Sequence, residues 1–411
     1  MVDHFISYRG AKAGQPNAHG LVIGEKRLLL DCGAGLKPED VERPDWIWVS
    51  HAHGDHCRGM LALLKRWPDV SVLATEETRR LLPLALSKGR QPSSQVEAIC
   101  RRVEPLPWGQ YRRLSDDGGL QVMVLRAGHC PGAAMLMVEK TEGQRCQGRV
   151  LYTGDFCTHN QQVVEGAGAP VVSDGRGVDM LIMESMLATD EEADGLYWER
   201  EARRLVEMVE GANGPVLMGA MAIGEAQEVA ALIADTSSRR VLVDSYMEPH
   251  FEALGLDGRY RFGDRRQMRG RLRGGGVVIC SGARFQSGTT SAYLARELVT
   301  DERATIAVLN RCRKGTGAGR LLTTERGELI QWEGRQVELK AEVQRYRLIN
   351  HAPRWQLLGM IDGVGATTTH LVHGSTGARW ALKRAGEAQE VSGEIVVTDR
   401  GETYALYSSG C

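Results

Sequence analysis

The chain carries no excess of either charge: 51 lysines and arginines stand against 52 aspartates and glutamates, for a formal net charge of −1. That balance excludes a global pull towards a polyanion, so any hold on nucleic acid has to come from local patches. Paired cysteines are also missing. The nine cysteines, Cys32, Cys57, Cys100, Cys130, Cys146, Cys157, Cys280, Cys312 and Cys411, are odd in number and scattered, with no Cys-x-x-Cys. This excludes a zinc ribbon and a disulfide framework, and points to reduced thiols in a cytoplasmic protein. No apolar run approaches membrane-spanning length, and Met1-Val2-Asp3-His4 begins with an acid and leads into no signal-peptide core. Aromatics are sparse at 6%, with phenylalanine at only five positions. With so few aromatics, a core can take up every tryptophan and tyrosine, and none is chosen as a base-stacking platform.

What is present is concentrated in one place. The apolar run Trp46-Ile47-Trp48-Val49 leads into Ser50-His51-Ala52-His53-Gly54-Asp55-His56, three histidines and an aspartate within six positions. Imidazoles and carboxylates are the donor set that suits zinc, and this density reads as a metal site. If Ile47 to Ser50 end a buried strand, His51 and His53 share one side of the chain. Asp55 and His56 then point elsewhere from the turn at Gly54, so two neighbouring ions can be addressed. The plain alternative is a histidine-rich loop without metal.

At 411 residues the chain suits two or three domains and a core that needs no staples. Leu21 to Ile23 and Arg27 to Gly33 read as two strands about a turn, Arg58 to Trp67 has helical spacing, and Val70 to Ala74 has strand character. Further strands are expected at Leu120 to Leu125, Ala133 to Val138 and Arg149 to Tyr152. Two more candidate ligands lie at their ends, His129 in Gly-His-Cys-Pro-Gly and Asp155 in Thr-Gly-Asp-Phe. Alone, each would be a cap or a satisfied loop residue. Their order after the histidine cluster is what raises them. From Val178 onward, short apolar runs at 178–183, 241–244, 277–280 and 304–309, together with a strand, glycine turn and helix read over 214–229, alternate with helical stretches, which implies a second, parallel α/β unit inserted into the first.

The ordered set His51, His53, Asp55, His56, His129 and Asp155 resembles the metallo-β-lactamase superfamily. The resemblance implies an αββα sandwich in which His51, His53 and His129 hold one zinc, Asp55 and His56 hold a second, and Asp155 bridges both. Downstream, the segments Gly219 to Glu228, Ser281-Gly282 with Gln286-Ser287-Gly288, and Asn310 through Leu322 with its Gly-Thr-x-Gly-Arg wording resemble the β-CASP nucleases. They lean to the branch of the cleavage and polyadenylation specificity factor. His351-Ala352-Pro353 and Val372-His373-Gly374 match that family's late motifs. By this resemblance His373 completes the second zinc site, His351 is a general acid or a transition-state donor, and Glu184 orients a neighbouring histidine, so Asp55, Glu184 and His351 form the catalytic set. The fold class implied is α/β: a metallo-β-lactamase αββα sandwich, residues 1–190 and 341–411, interrupted by a β-CASP domain at 191–340, with the active site in the cleft between them.

Two zinc ions, or manganese in their place, would activate a shared water and clamp a phosphate, which makes phosphodiester hydrolysis the natural reaction. His351 suits protonation of the leaving oxygen near neutrality. The expected partner is single-stranded nucleic acid, RNA slightly ahead of DNA, with a homodimer left open. Arg311, Arg313, Lys314 and Arg320 are candidates for holding the backbone, and the arginines from Arg261 to Arg273 either track phosphates or form a solvated loop. Two departures from the family pattern, Met186 after Glu184-Ser185 and Pro353 after His351-Ala352, suggest that a supporting hydrogen bond is lost or replaced. The wording around His129 leans instead to the DNA-crosslink-repair branch, hence a 5′ exonuclease as the alternative. A thiolester-type hydrolase should lack the inserted unit and the His351 and His373 pair. A non-catalytic nucleic-acid scaffold should have lost ligands.

Overall fold

The computed structural model describes residues 3–10, 16–87, 91–115, 119–143, 145–170, 176–310, 312 and 315–406. The chain divides into two units. The first comprises Met1–Asn160, Val164–Gly195 and Asn350–Cys411, and the second Gln161–Val163 and Leu196–Ile349.

Two seven-stranded sheets make the first unit. One runs in the order Thr403–Ala405, His4–Arg9, Ala18–Ile23, Lys26–Leu30, Trp46–Trp48, Ser71–Ala74, Glu104–Pro105. The other runs Glu394–Val397, Thr368–Leu371, Met180–Met183, Arg145–Tyr152, Ala134–Glu142, Leu120–Arg126, Tyr111–Arg113. Alternate residues face the shared core, as the two-residue period of a strand requires. Leu28, Leu30, Trp48 and Leu73 come from the first sheet, and Val122, Val124, Leu136, Val138, Val150, Tyr152, Met180 and Ile182 from the second. The intervening residues are also largely buried. Ala18–Ile23 and Met180–Met183 are buried throughout, because helices such as Met60–Arg66, Glu76–Leu86, Arg354–Val364 and Thr376–Ala388 belong to the same unit. Sheet on sheet with helices outside is the αββα arrangement that the motifs imply.

The second unit is built on a six-stranded, all-parallel sheet in the order Arg261–Gly263, Val241–Asp244, Val277–Ser281, Val216–Ala220, Thr305–Leu309, Glu342–Tyr346. Its central strands, Val216–Ala220 and Val277–Ser281, are apolar up to the terminal Ser281 because both faces are covered. Val216 and Met218 pack towards Trp198–Gly211 and Glu225–Thr236. Leu217 packs with Met268, Leu294 and Leu321 of the helices Arg265–Arg273, Thr290–Leu298 and Gly317–Thr323. Since Glu342–Tyr346 pairs with Thr305–Leu309, the chain returns to the first unit at Asn350 rather than at 341. From Arg265 to Arg273 the arginine-rich stretch is a helix, not a loop, and Arg261 begins the strand Arg261–Gly263. Asp264 caps the helix by accepting from the Gln267 backbone at 2.8 Å, and Arg269 and Arg273 both pair with Glu297.

Backbone bonds tie the loop after Lys26–Leu30 to the loop carrying the histidine cluster. Cys32 N donates to His56 O at 2.7 Å, Ala34 N to Gly54 O at 3.0 Å, and Gly59 N to Cys32 O at 2.7 Å. A side chain at Gly33 has no room in this weave, because its Cβ would lie 2.0 Å from Asp55 O. Gly33→Ala is therefore expected to destabilise the first unit by about 1–3 kcal/mol, the usual cost of overpacking. Urea denaturation followed by tryptophan fluorescence checks this, and an unchanged midpoint would contradict it.

Candidate metal centre

Every candidate ligand leaves the end of a strand in the first unit. His51 and His53 follow Trp46–Trp48, with Asp55 and His56 on the short helix Gly54–Cys57. His129 follows Leu120–Arg126, Asp155 follows Arg145–Tyr152, Glu184 follows Met180–Met183, and His373 follows Thr368–Leu371. Five strand ends thus deliver their polar residues to one end of the two sheets.

There the ring nitrogens converge. His53 Nδ1 lies 3.1 Å from His51 Nε2 and 3.0 Å from His129 Nε2. Asp155 stands among the rest: its Oδ2 is 3.2 Å from His56 Nε2, 3.8 Å from His51 Nε2 and 3.9 Å from His129 Nε2, and its Oδ1 is 3.5 Å from His373 Nε2. Among the described residues, four sets have ligand atoms all within 4.8 Å of one another: His51, His53 and His129; His51, His56 and Asp155; Asp55, His56 and His373; and His129, Asp155 and His351. The turn anticipated at Asp55 and His56 is a helical turn, and His51 contributes to two of these sets rather than one.

Electrostatics separate the members. Burial, reinforced by the neighbouring rings, drives His51 and His129 well below the ordinary imidazole range. Burial also opposes charge on His56, but Asp155, Asp31 and Asp55 outweigh it and hold the ring well above that range. Burial would raise Asp155, yet His373 and His56 keep it well below the ordinary carboxylate value. Asp155 Oδ1 and His373 Nε2 are buried without a hydrogen-bond partner. Inward-facing lone pairs and orphaned buried polar atoms are costly unless a cation takes them up. The donor set of imidazole nitrogens and carboxylate oxygens is one that zinc or manganese accepts.

Asp31, Asn350 and Asn17, which the motifs did not single out, and Ser50, which opens the histidine stretch, contact the candidate ligands. Asp31 Oδ2 lies 2.6 Å from His56 Nδ1, and Asp31 also accepts from Ser50 N at 2.7 Å, Ser50 Oγ at 2.8 Å and Tyr152 OH at 2.6 Å. Ser50 Oγ is 3.0 Å from His51 Nδ1, Asn350 O is 2.8 Å from His129 Nδ1, and Asn17 Nδ2 is 2.7 Å from His373 Nδ1. An oxygen behind a ring, as for His56, His51 and His129, fixes which nitrogen would face an ion. Asp31 stood in the sequence at a strand end before a glycine, a signal shared by many turn residues, and Asn17 and Tyr152 carried none.

Glu184 and His351 are brought together. His351 Nδ1 lies 2.9 Å from Glu184 Oε1, whose oxygens also accept from Phe156 N at 2.9 Å and Met186 N at 3.1 Å. Backbone amides thus pin the carboxylate without a polar side chain at Met186, and Pro353 serves as N-cap residue of the helix Arg354–Val364. Burial lowers His351, but Glu184, with Asp155 and Asp55, outweighs it and lifts the ring to about 9. Of the residues assigned to the backbone, Arg311, Arg313 and Lys314 lie outside the described residues. Arg320 is in the second unit, Nη1 3.3 Å from Gly315 O and the guanidinium 5.9 Å from the Trp332 ring centre.

A family profile described as a beta-lactamase superfamily domain matches residues 26–243. The chain belongs to that superfamily. It is 34% identical to the uncharacterized protein sll0514 of Synechocystis over 217 residues, 52% of this chain and 37% of that one. It is 22% identical to the probable RNase MJ4 of Methanocaldococcus jannaschii over 409 residues, 89% of this chain and 92% of that one. It is 27% identical to cleavage and polyadenylation specificity factor subunit 3 of Dictyostelium discoideum over 231 residues, 51% of this chain and 29% of that one. The chain spans less than two fifths of the first and third of these relatives. The resemblance to β-CASP nucleases and their polyadenylation-factor branch is thereby borne out. A solved structure of a protein of unknown function from Enterococcus faecalis V583 shares the fold, with a TM-score of 0.63 at 14% identity over 98% of this chain and 99% of that one. No helix among the described residues is long and apolar enough to cross a membrane.

Replacing Glu184 by Gln keeps the shape of the pair and removes the charge that raises His351. The ring is then expected to titrate well below about 9, towards or under the ordinary 6.5. A pH titration of the His351 resonance in metal-free protein reads this directly, and an unshifted midpoint would refute the assignment of the shift to Glu184.

Proposed function

We propose that the chain is a metal-dependent nuclease that hydrolyses phosphodiester bonds of single-stranded nucleic acid, RNA ahead of DNA. The observation that supports it most is the position of Asp155, shared between the set built on His51 and the set completed by His351. His51, His53 and His129 would hold one zinc and Asp55, His56 and His373 the other, with Asp155 between them and manganese as the alternative ion. Bound there, two ions would supply Lewis-acid polarisation of the phosphate and a strong nucleophile at neutral pH.

The protein's own groups do the rest. Asp55 is the most open ligand, its side chain 49% exposed against 4% for Asp155, so it faces whatever enters. His351, with 20% of its side chain exposed, turns Nδ1 to Glu184 and has Nε2 free to present a proton. A ring held charged by Glu184 at pH 7 is a proton donor to the leaving oxygen, not a base. Names of relatives such as the probable RNase of Methanocaldococcus jannaschii and the endoribonuclease YSH1 of Candida glabrata favour RNA. Arg311, Arg313, Lys314 and Arg320 would hold the backbone.

The test uses zinc-loaded full-length chain with end-labelled single-stranded RNA and DNA of one sequence, resolved on one gel. RNA is expected to be cut at least as readily as DNA. His351→Ala is expected to keep its metal content and to lose about 10²–10⁴-fold in turnover, the usual range for a general acid. Loss of metal in that variant, unchanged turnover, or a loaded wild type that cuts neither strand would contradict the proposal.

A further inference from the structure

We propose that Asn17 is the positioning residue for His373: its carboxamide oxygen accepts the Nδ1 proton, so that Nε2 turns a lone pair to the second ion. The inference rests on the two-ion reading above. Three other ligand rings have an oxygen behind Nδ1: Asp31 Oδ2 for His56, Ser50 Oγ for His51 and Asn350 O for His129. Each of these rings points Nε2 at Asp155. His373 follows the same plan, with Nε2 3.5 Å from Asp155 Oδ1 and no hydrogen-bond partner. Behind its Nδ1 stands Asn17, whose amide group lies 2.7 Å away.

A neutral imidazole offers a lone pair at one nitrogen only when the other carries the proton, and that proton needs an acceptor. The two ends of a carboxamide have the same shape and are told apart by their hydrogen bonds. With the nitrogen end towards the rings, Nδ2 lies 2.7 Å from His373 Nδ1 and 3.0 Å from His56 Nε2. The oxygen is then stranded, buried and without a partner. His19 Nε2 is also buried without one, and both atoms crowd Gly10, where a Cβ would meet them at 2.6 and 3.3 Å. With the amide turned by half a turn, Oδ1 accepts from His373 Nδ1–H and lies 3.0 Å from His56 Nε2, on the side of the second ion, while the N–H group turns to the side of His19.

Asn17 cannot swing away to do otherwise. It is fully buried, its N donates to Asp55 O at 2.8 Å, and its O accepts from Gly33 N at 2.8 Å. The residue is thus fastened to the same weave that carries Asp55 and His56.

Zinc titration of metal-free full-length chain against a chromophoric chelator, with metal per chain counted by elemental analysis, tests this without substrate. Wild type should take two ions. Asn17→Ala should keep the tighter one and bind the other about 10–100-fold more weakly, the range for losing such a partner. Asn17→Asp, which accepts at the same place but donates nothing, should bind the second ion at least as tightly as wild type. Asn17→Asp binding as weakly as Asn17→Ala, or Asn17→Ala binding like wild type, overturns the proposal. If circular dichroism shows that Asn17→Ala does not fold, Asn17→Asp decides alone, retention supporting the role and loss overturning it. A wild-type chain that takes fewer than two ions overturns the two-ion reading and this inference together. Two ions in wild type with an unaffected Asn17→Ala overturns the inference alone.

Discussion

One buried carboxylate constrains the rest of the first unit. Asp155 is 3% exposed and is ringed by nitrogens of His51, His56, His129 and His373. Such a charge survives burial only if its surroundings compensate it, since removing one partner of a buried pair typically costs about 3–5 kcal/mol. The sheets meet that demand by ending their strands at one edge, and the loop weave about Gly33, Asp55 and Asn17 holds the edge in register. Outward from Asp155, the candidate ligands, the polar groups behind their rings and the Glu184 and His351 pair form successive consequences of burying that group.

Opposed protonation follows from position rather than residue type. His51 and His129 are kept neutral by burial among other rings, whereas His351, outside both proposed ligand sets, is kept charged by Glu184. The same side chain can therefore serve as a ligand in one place and as a proton donor a few ångströms away. Neutral and charged imidazoles side by side are what a site needs if it is to hold cations and protonate a leaving group at one pH.

The part of this arrangement legible in the sequence is the part encoded locally. Ser50 to His56 packs four donors into one loop, and strands such as Leu120–Arg126 and Val216–Ala220 announce themselves by alternation or by continuous apolarity. His129, Asp155, Glu184 and His373 were legible only through their order along the chain, since each alone is an ordinary loop residue. Asp31, Tyr152 and Asn17 were not legible as site residues at all, because their role arises from contacts across as many as 356 positions, as between Asn17 and His373, and Ser50 read only as the start of the histidine stretch. The limits of the inserted unit were blurred for a related reason. Glu342–Tyr346 looks like the start of the returning segment, but its pairing with Thr305–Leu309 places it in the second sheet. The arginines from Arg265 to Arg273 gave only a charge density, and the Asp264 cap and Glu297 pairing that make them a helix surface depend on tertiary contacts.

The central claim is that Asp155 lies between two cations held by different histidine sets. Crystals grown with zinc and measured on either side of the zinc absorption edge test it most directly. The account predicts two anomalous peaks per chain about 3.5–4 Å apart, one against His51, His53 and His129 and the other against Asp55, His56 and His373, with Asp155 touching both. A single peak, or peaks that leave Asp155 uncoordinated, would contradict it.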